Sequence, residues 1–439
     1  MSEILTLHVG GCGYSLANNF WSNLCREHKI DHEGRYYGTY DAELECISSY
    51  FHETLQEKFY PHSILVGGNF HLEETNEKQR LEDLFLPKKS ITSGISNGNI
   101  WATGFLHDND GLLKRTQKII RKELELFENF QGFQIFHNNS SGTGGGMCSR
   151  LILWLRETFP KKNITTFSVF ASPSEPDNIK YPYNTIFSLS YNLDLVNNHF
   201  CFDNEVLWDV AHSKYKIRYP KYNDLNRILC YTISDITAPF RFLNNESKKM
   251  TLETFTQSLI TDPKLNSLLT FASSAKLQMK KVTSPIKNTT LFNNIFEDGP
   301  SVSCDLTKGN FINAMSIIRG NIDCTNFEEK LLEKFDQIKY PYKTQIKNSI
   351  KIERFQITRQ KNKPSCLIAT NHTSIINSYN KISTFFSRLL YRRAFTHYYT
   401  DEGMELDDFA ESLELVKEYS NNYSIYNEIL NQQKLKELK

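Results

Sequence analysis

The stretch that most limits what this chain can fold into is residues 137–149, HNNSSGTGGGMCS. Its centre, Ser140-Ser141-Gly142-Thr143-Gly144-Gly145-Gly146, holds four glycines, two serines and a threonine between two apolar segments. Before it, Gly132-Phe133-Gln134-Ile135-Phe136 reads as a buried strand, and after it Leu151-Ile152-Leu153-Trp154-Leu155 opens a helix running toward Phe159. Strand, glycine turn and helix N-terminus in that order make a natural anion site. Glycine lets the backbone come close, amide N–H groups point outward, and the helix dipole favours negative charge. Thr143 and the serines add hydroxyl donors. Neither GxGxxG with a following acid nor the P-loop pattern occurs here, so a flexible glycine loop is an equal alternative for this stretch alone.

The rest of the chain supplies context. Residues 4–9 read as a strand that Gly10-Gly11-Cys12-Gly13 turns into a helix through Phe20-Trp21, a second unit of the same kind. Cys12 has no base assigned to it, which favours a small residue packed beside a ligand over a nucleophile. Further strands are expected at residues 63–66, 164–170 and 200–203, with an amphipathic helix over residues 111–127 and another from Asn204. This alternation predicts an α/β domain with a mostly parallel sheet, and polar or glycine loops at the C-terminal ends of its strands, where such folds bind ligands. Residues 225–240 read as a long apolar helix. Beyond it come shorter strands and loops rich in Lys, Asn, Ser and Thr, with a helix expected over residues 248–260, a strand over 314–320 and a lysine-rich surface loop at 276–287. The end is helical, over residues 375–395 and again from Leu406, whose stripe of Phe409, Leu413, Val416, Tyr419 and Tyr423 predicts core packing. Three regions follow: 1–205, an α/β domain that carries the ligand loops; 206–374, a long helix and an α+β domain; and 375–439, a helical region.

Charge and cysteine usage narrow the partners and the compartment. The formal net charge is +1, so no global field argues for nucleic acid or an anionic membrane. No apolar run is long enough to span a bilayer, and the first residues lack a basic leader. Nine scattered cysteines without a CxxC pair fit a reducing compartment, and neither a disulfide framework nor a zinc site is expected.

With these pieces placed, the chain resembles the tubulin superfamily over essentially its whole length. Gly10-Gly11-Cys12-Gly13 with Phe20-Trp21 is similar to that family's GQCGNQ…FW, and Asn99-Ile100-Trp101-Ala102-Thr103-Gly104 to NNWAKG. Residues 140–146 fall at GGGTGSG, Asp203-Asn204-Glu205-Val206-Leu207 at DNEAL, and Tyr222-Asn223-Asp224-Leu225-Asn226 at YGDLN. Near the end, residues 391–404, YRRAFTHYYTDEGM, are similar to FRRKAFLHWYTGEGM. The resemblance implies a Rossmann-like GTP-binding domain with a parallel sheet, an α+β intermediate domain and a C-terminal helical hairpin. It also implies a cytoplasmic subunit of microtubules that contacts other tubulin subunits, in an array such as a basal body or cilium. Carried over by position, Gly142, Thr143, Gly144, Gly145 and Gly146 hold the phosphates of GTP or GDP, and Gly10, Cys12 and Asn99 line the same site. Asp177 lies near the ribose, Asn204 and Asn226 read the guanine edge, and Tyr222 stacks on the base.

Several positions depart from the pattern. Gly11 stands where the family has a phosphate-side Gln, and Gly67 and Asn69 stand at carboxylates near the magnesium. A hard Mg²⁺ thereby loses oxygen ligands, so efficient hydrolysis is not expected. Ser140 and Ser141 replace glycines, and a positive φ there would be strained. The family's hydrolytic acid acts across the interface from the helix after the long one. Glu253 is the candidate here, with Thr254 or Leu252 at the equivalent position if the local alignment shifts. Three readings therefore stand: a polymerising GTPase, a non-hydrolysing nucleotide-locked adaptor at microtubule templates or ends, and an unrelated α/β enzyme. No nucleophile–base pair or metal cluster supports the third.

Overall fold

The computed structural model describes residues 2–68, 84–85, 89–93, 97–107, 111–171, 179–273, 309–320, 350–358 and 364–437. Strand β1 (Glu3–Val9) runs directly into helix α1 (Gly10–His28). A small antiparallel pair, β2 (Phe51–Glu53) with β3 (Phe59–Pro61), precedes β4 (Ser63–Gly68) and β5 (Ser90–Ser93). Helices α2 (Trp101–Leu106) and α3 (Leu112–Leu124) lead to β6 (Phe130–Asn138), and α4 (Cys148–Thr158) to β7 (Asn163–Phe170). Next come α5 (Tyr181–Leu195), β8 (Asn198–Asp203), α6 (Asn204–Ser213), α7 (Tyr222–Arg241) and α8 (Leu252–Leu259). Strands β9 (Ser267–Ser273), β10 (Phe311–Arg319), β11 (Ile350–Phe355) and β12 (Ser365–His372) follow, then helices α9 (Ile375–Tyr391), α10 (His397–Thr400) and α11 (Leu406–Glu437).

Among the described residues, all strands but β2 and β3 join one 10-stranded sheet in the order β11-β10-β12-β9-β8-β7-β6-β1-β4-β5. From β5 to β8 every pairing is parallel, as the alternation of strands and helices predicts. The sheet does not stop there. Strand β9 adds on in parallel through His199↔Ser267 and Phe200↔Leu268, and β12 then reverses direction.

Both faces are covered, which is why β1 and β12 are buried along their whole length, polar residues such as Thr6, His8 and Thr370 included. In β1, Ile4 belongs to the core cluster under α1, α7 and α8, while Leu5, Leu7 and Val9 pack on the opposite side under α3 and α4. Strand β6 repeats this, with Phe136 toward α1 and Phe133 and Ile135 toward α4. Period two along the strand thus sorts each side chain to one layer. A third cluster joins α5 to α9 and α11 through Tyr183, Phe187, Phe386, Phe409 and Tyr423, so the tyrosine-bearing stripe is core. No described helix is long and apolar enough to cross a membrane.

Helix ends differ from the sequence expectation where side chains cap them. The helix expected over residues 248–260 begins at Leu252, because Thr251 and Thr254 form a reciprocal capping box. Lys248 instead closes a turn on the Asn244 side chain. The helix expected over residues 375–395 ends at Tyr391, and Arg393 and Phe395 beyond it have positive φ. The segment 276–287, together with Asn69 and Asp177, lies outside the described residues.

Candidate functional site

A cavity of about 390 Å³ opens at the C-terminal ends of the parallel strands. The β1–α1 turn contributes Gly11, Cys12 and Ser15; the end of β6 and the residues after it contribute Asn138 and Ser140. The end of β7 adds Val169 and Ala171, the start of α6 adds Asn204, and the first turn of α7 adds Tyr222 and Asn226. Asn99, just before α2, completes the wall. Its size suits a drug-sized ligand or nucleotide, and its place is where open parallel sheets bind one. Five residues singled out from sequence therefore meet here: Cys12, Asn99, Asn204, Tyr222 and Asn226.

Each is held by a local device. Asp203 caps α6 by accepting the Glu205 N–H at 2.8 Å, which fixes the turn carrying Asn204. Burial pushes the Asp203 carboxyl up to about 6. The α7 start is tied to α1 by the Asn19 amide, which donates to the Asn223 side chain at 3.1 Å. Tyr222 is 52% exposed and lies edge-on to Trp208. Asn99 adopts φ 56°, and its carbonyl accepts from the Asn184 amide at 3.1 Å. Asn184 is fully buried and also donates to the Ser140 carbonyl at 2.9 Å. Its side-chain oxygen takes the Tyr399 hydroxyl at 2.7 Å, which fastens α10 to the same wall. Nothing in the sequence marked Asn184, one of several polar residues in its helix.

The glycine stretch forms a π-helical turn, Gly142–Met147, that continues without a break into α4. Gly142, Gly144, Gly145 and Gly146 are buried and Thr143 is half-exposed, and neither these five nor Gly10 is among the residues that line the cavity. The glycines are required by packing. A Cβ on Gly146 would lie 2.0 Å from the Trp101 carbonyl oxygen, and one on Gly142 would lie 2.8 Å from that of Ile100. Gly10, at φ +74°, presses on Gly144, and a Cβ there would meet the Gly144 nitrogen at 2.8 Å. The amides expected to point outward are largely turned into the loop. The Gly144 N–H donates to Ser141 Oγ at 3.1 Å, and those of Gly145 and Gly146 donate to the Ser141 carbonyl at 3.1 and 3.3 Å. The strain expected at Ser140 and Ser141 is absent: neither has a positive φ, and Ser141 sits at −124° as an extended helix cap.

Two buried histidines brace the glycine turns, a role the sequence reading missed. His137 Nδ1 lies 2.8 Å from the Gly144 carbonyl, and Nε2 lies 2.7 Å from Ser168 Oγ. A carbonyl only accepts, so Nδ1 carries the proton and Nε2 takes the Ser168 hydroxyl. His8 repeats the pattern, with Nδ1 3.2 Å from the Gly13 carbonyl and Nε2 accepting from the Trp21 indole at 3.2 Å. Burial holds both neutral, pushing His137 down to about 4 and His8 to about 3.

The described residues that line the cavity do not fit a metal. No carboxylate is among the described residues lining it, and no described cluster of His, Cys, Asp or Glu could hold an ion. At Gly67 a Cβ would meet the Gly10 backbone at 3.2 Å, so a side chain there would press on the start of α1. We therefore derive no step through Mg²⁺. Glu253 is exposed on α8, where its carboxylate accepts from the Gln257 amide at 3.3 Å, and it does not line the cavity.

Comparison with known proteins matches this architecture. The Tubulin/FtsZ family GTPase domain matches residues 3–212. The tubulin beta-6 chain of Gallus gallus is 30% identical over 430 residues, which covers 95% of each chain. The tubulin beta chain of Encephalitozoon cuniculi is 30% identical over 431 residues, covering 97% of each, and the tubulin beta-1 chain of Mus musculus is 29% identical over 427. Identity spread over nearly the full length, together with the glycine turns and the cavity they flank, identifies the chain as a member of the tubulin superfamily.

Proposed function

We propose that the cavity holds a guanine nucleotide and that the protein is a divergent tubulin, a structural subunit of microtubules or of a specialised array of the basal-body or cilium kind. The observation that carries this is the make-up of the cavity wall. Asn204, Asn226 and Tyr222 share one cavity wall with Gly11 and Cys12 of the first glycine turn and with Ser140 beside the second. An Asn amide offers one donor face and one acceptor, which suits the guanine edge, and a tyrosine ring is of a kind on which a base stacks. Gly10, Gly142, Thr143, Gly144, Gly145 and Gly146 are assigned to the phosphates, and Asp177 to the ribose, from the family pattern alone. Partners are other tubulin subunits, met along and across the polymer.

Glu253, exposed and so accessible to a neighbouring subunit, is the candidate acid for hydrolysis in trans. A second reading is favoured by Gly67: without a metal carboxylate the subunit acts as a nucleotide-locked adaptor at templates or ends. Co-sedimentation with tubulin and GTP turnover separate the two. Assembly-stimulated turnover that is lost in Glu253→Ala supports the GTPase. Stable incorporation without turnover supports the adaptor, and absence from the polymer pellet rejects both.

A further inference from the structure

A second, smaller cavity of about 20 Å³ lies beside the first and shares a wall with it, because Ala171 at the end of β7 lines both. Phe170, Tyr181 at the start of α5, and Cys201 and Asp203 of β8 enclose the smaller one, and Lys381 closes it from α9. The residue after Asp203 is Asn204, which lines the larger cavity. The chain thus passes from one cavity wall to the other between these two residues.

Both neighbours of Asn204 are held. Asp203 accepts the Glu205 N–H at 2.8 Å, and the Glu205 carboxylate takes the Lys381 ammonium at 2.7 Å. An ion pair this open to solvent adds little to the stability of the whole fold, so its consequence is local: it fixes where the first turn of α6 sits against α9. The Asp203 carboxyl feels the same arrangement. Around it stand Glu205 and Asp209 on α6, Cys201 on β8, Tyr181 on α5 and Lys381 on α9, while β7 offers the apolar Phe170 and Ala171. Burial is the main cause of its rise to about 6; Glu205 and Asp209 push the same way, and the capping N–H and Lys381 oppose them. An ionised carboxylate is the stronger acceptor at a helix N-terminus, so protonation of Asp203 loosens the turn that carries Asn204.

We propose that Lys381 is a positioning residue for the nucleotide cavity: by gripping Glu205 it holds the α6 turn that presents Asn204, and so ties nucleotide affinity to the C-terminal helical layer. The proposal rests on the reading of the cavity as a guanine-nucleotide site. Lys381→Met removes the charge and keeps an apolar stem, Glu205→Gln breaks the same pair from the other side, and Lys381→Arg is the conservative control.

The test is to strip the purified full-length protein of nucleotide and titrate it with GDP between pH 5 and 8. At pH 7.5, Lys381→Met and Glu205→Gln each weaken GDP by about two- to fivefold, the double variant is no weaker than the weaker single one, and Lys381→Arg stays near wild type. The pH profile separates positioning from a loss of packing. The GDP phosphate titrates near 6 in every variant, so the differences between variants carry the result. Without Lys381 the Asp203 carboxyl rises, and the acid loss of affinity begins at higher pH than in wild type. Without the Glu205 charge it falls, and the loss begins at lower pH. If Lys381→Met does not fold, Glu205→Gln alone gives the test. Unchanged affinity and an unchanged profile in a folded variant, or equal weakening in Lys381→Arg, overturns the role of Lys381 and leaves the site reading standing. Failure of the wild type to bind GDP overturns both.

Discussion

Asn226 and Tyr222 show how little a single residue announces. By itself an Asn near a helix start reads as a cap or turn residue, and only its position in the YNDLN stretch points to base recognition. Asn226→Ala is predicted to weaken guanine-nucleotide binding by about 1–3 kcal/mol and Tyr222→Ala by a similar amount, with the fold intact. Equilibrium titration with a fluorescent guanine nucleotide measures this, and unchanged affinity in both variants would misplace the base. His137 is the opposite case, quoted in the sequence stretch yet given no role. Its function as a brace depends on Ser168, its register partner on β7, and on the fold of the Gly144 loop. The Ser168 contact is far in sequence, and the nearby Gly144 contact depends on how the loop folds back, so no spacing could reveal the role. Ser141 was misread for a related reason. Its substitution for glycine suggested strain, whereas its hydroxyl supplies a cap that glycine lacks.

Elements were easier to read than residues, because burial on both faces of the sheet forces long apolar runs and helix stripes. Their ends were less legible, since Thr251 with Thr254 and the positive φ of Arg393 set them by local side-chain and backbone chemistry. The way elements lock together was not legible at all. Glu27 on α1 is fully buried between Arg241 of α7 and Arg319 of β10, at 2.8 Å from each, and Asp235 holds Arg319 from the other side at 3.0 Å. Burial alone would push the Glu27 carboxyl up, but the two guanidiniums hold it far below its usual range. Both arginines also lie over the Phe242 ring. Glu27→Gln leaves two buried guanidiniums facing one carboxylate, and a loss of about 3–5 kcal/mol in unfolding free energy is predicted. Denaturant melts of wild type and variant check it, and a loss below about 1 kcal/mol would mean that the cluster relaxes or admits water.

At the scale of the molecule, the neutral buried histidines set an acid limit. His8, His28, His62 and His199 are pushed down to about 3 and His137 to about 4, chiefly by burial. Unfolded histidine titrates near 6.5, so above that pH neither state is charged and nothing is lost. As pH falls below about 6.5, the unfolded chain takes up protons that the folded one refuses, and stability declines by about 1.4 kcal/mol per pH unit for each such histidine, down to about pH 4 for His137 and about pH 3 for the other four. Asp203, raised to about 6, acts in the opposite direction, and one group does not offset five. Thermal melts between pH 7.5 and 4.5 should show a steep fall, and a flat profile would mean these rings are protonated or solvated in the native state. The central claim is narrower: a guanine nucleotide sits at the C-terminal ends of the parallel strands. The most direct measurement is to denature the purified protein, before and after EDTA treatment, and identify what it releases, beside Asn226→Ala handled identically. Equimolar guanine nucleotide from the wild type that survives EDTA, and its loss from the variant, is the predicted result. Release of no nucleotide, of adenine nucleotide, or of an equal amount from Asn226→Ala would contradict it.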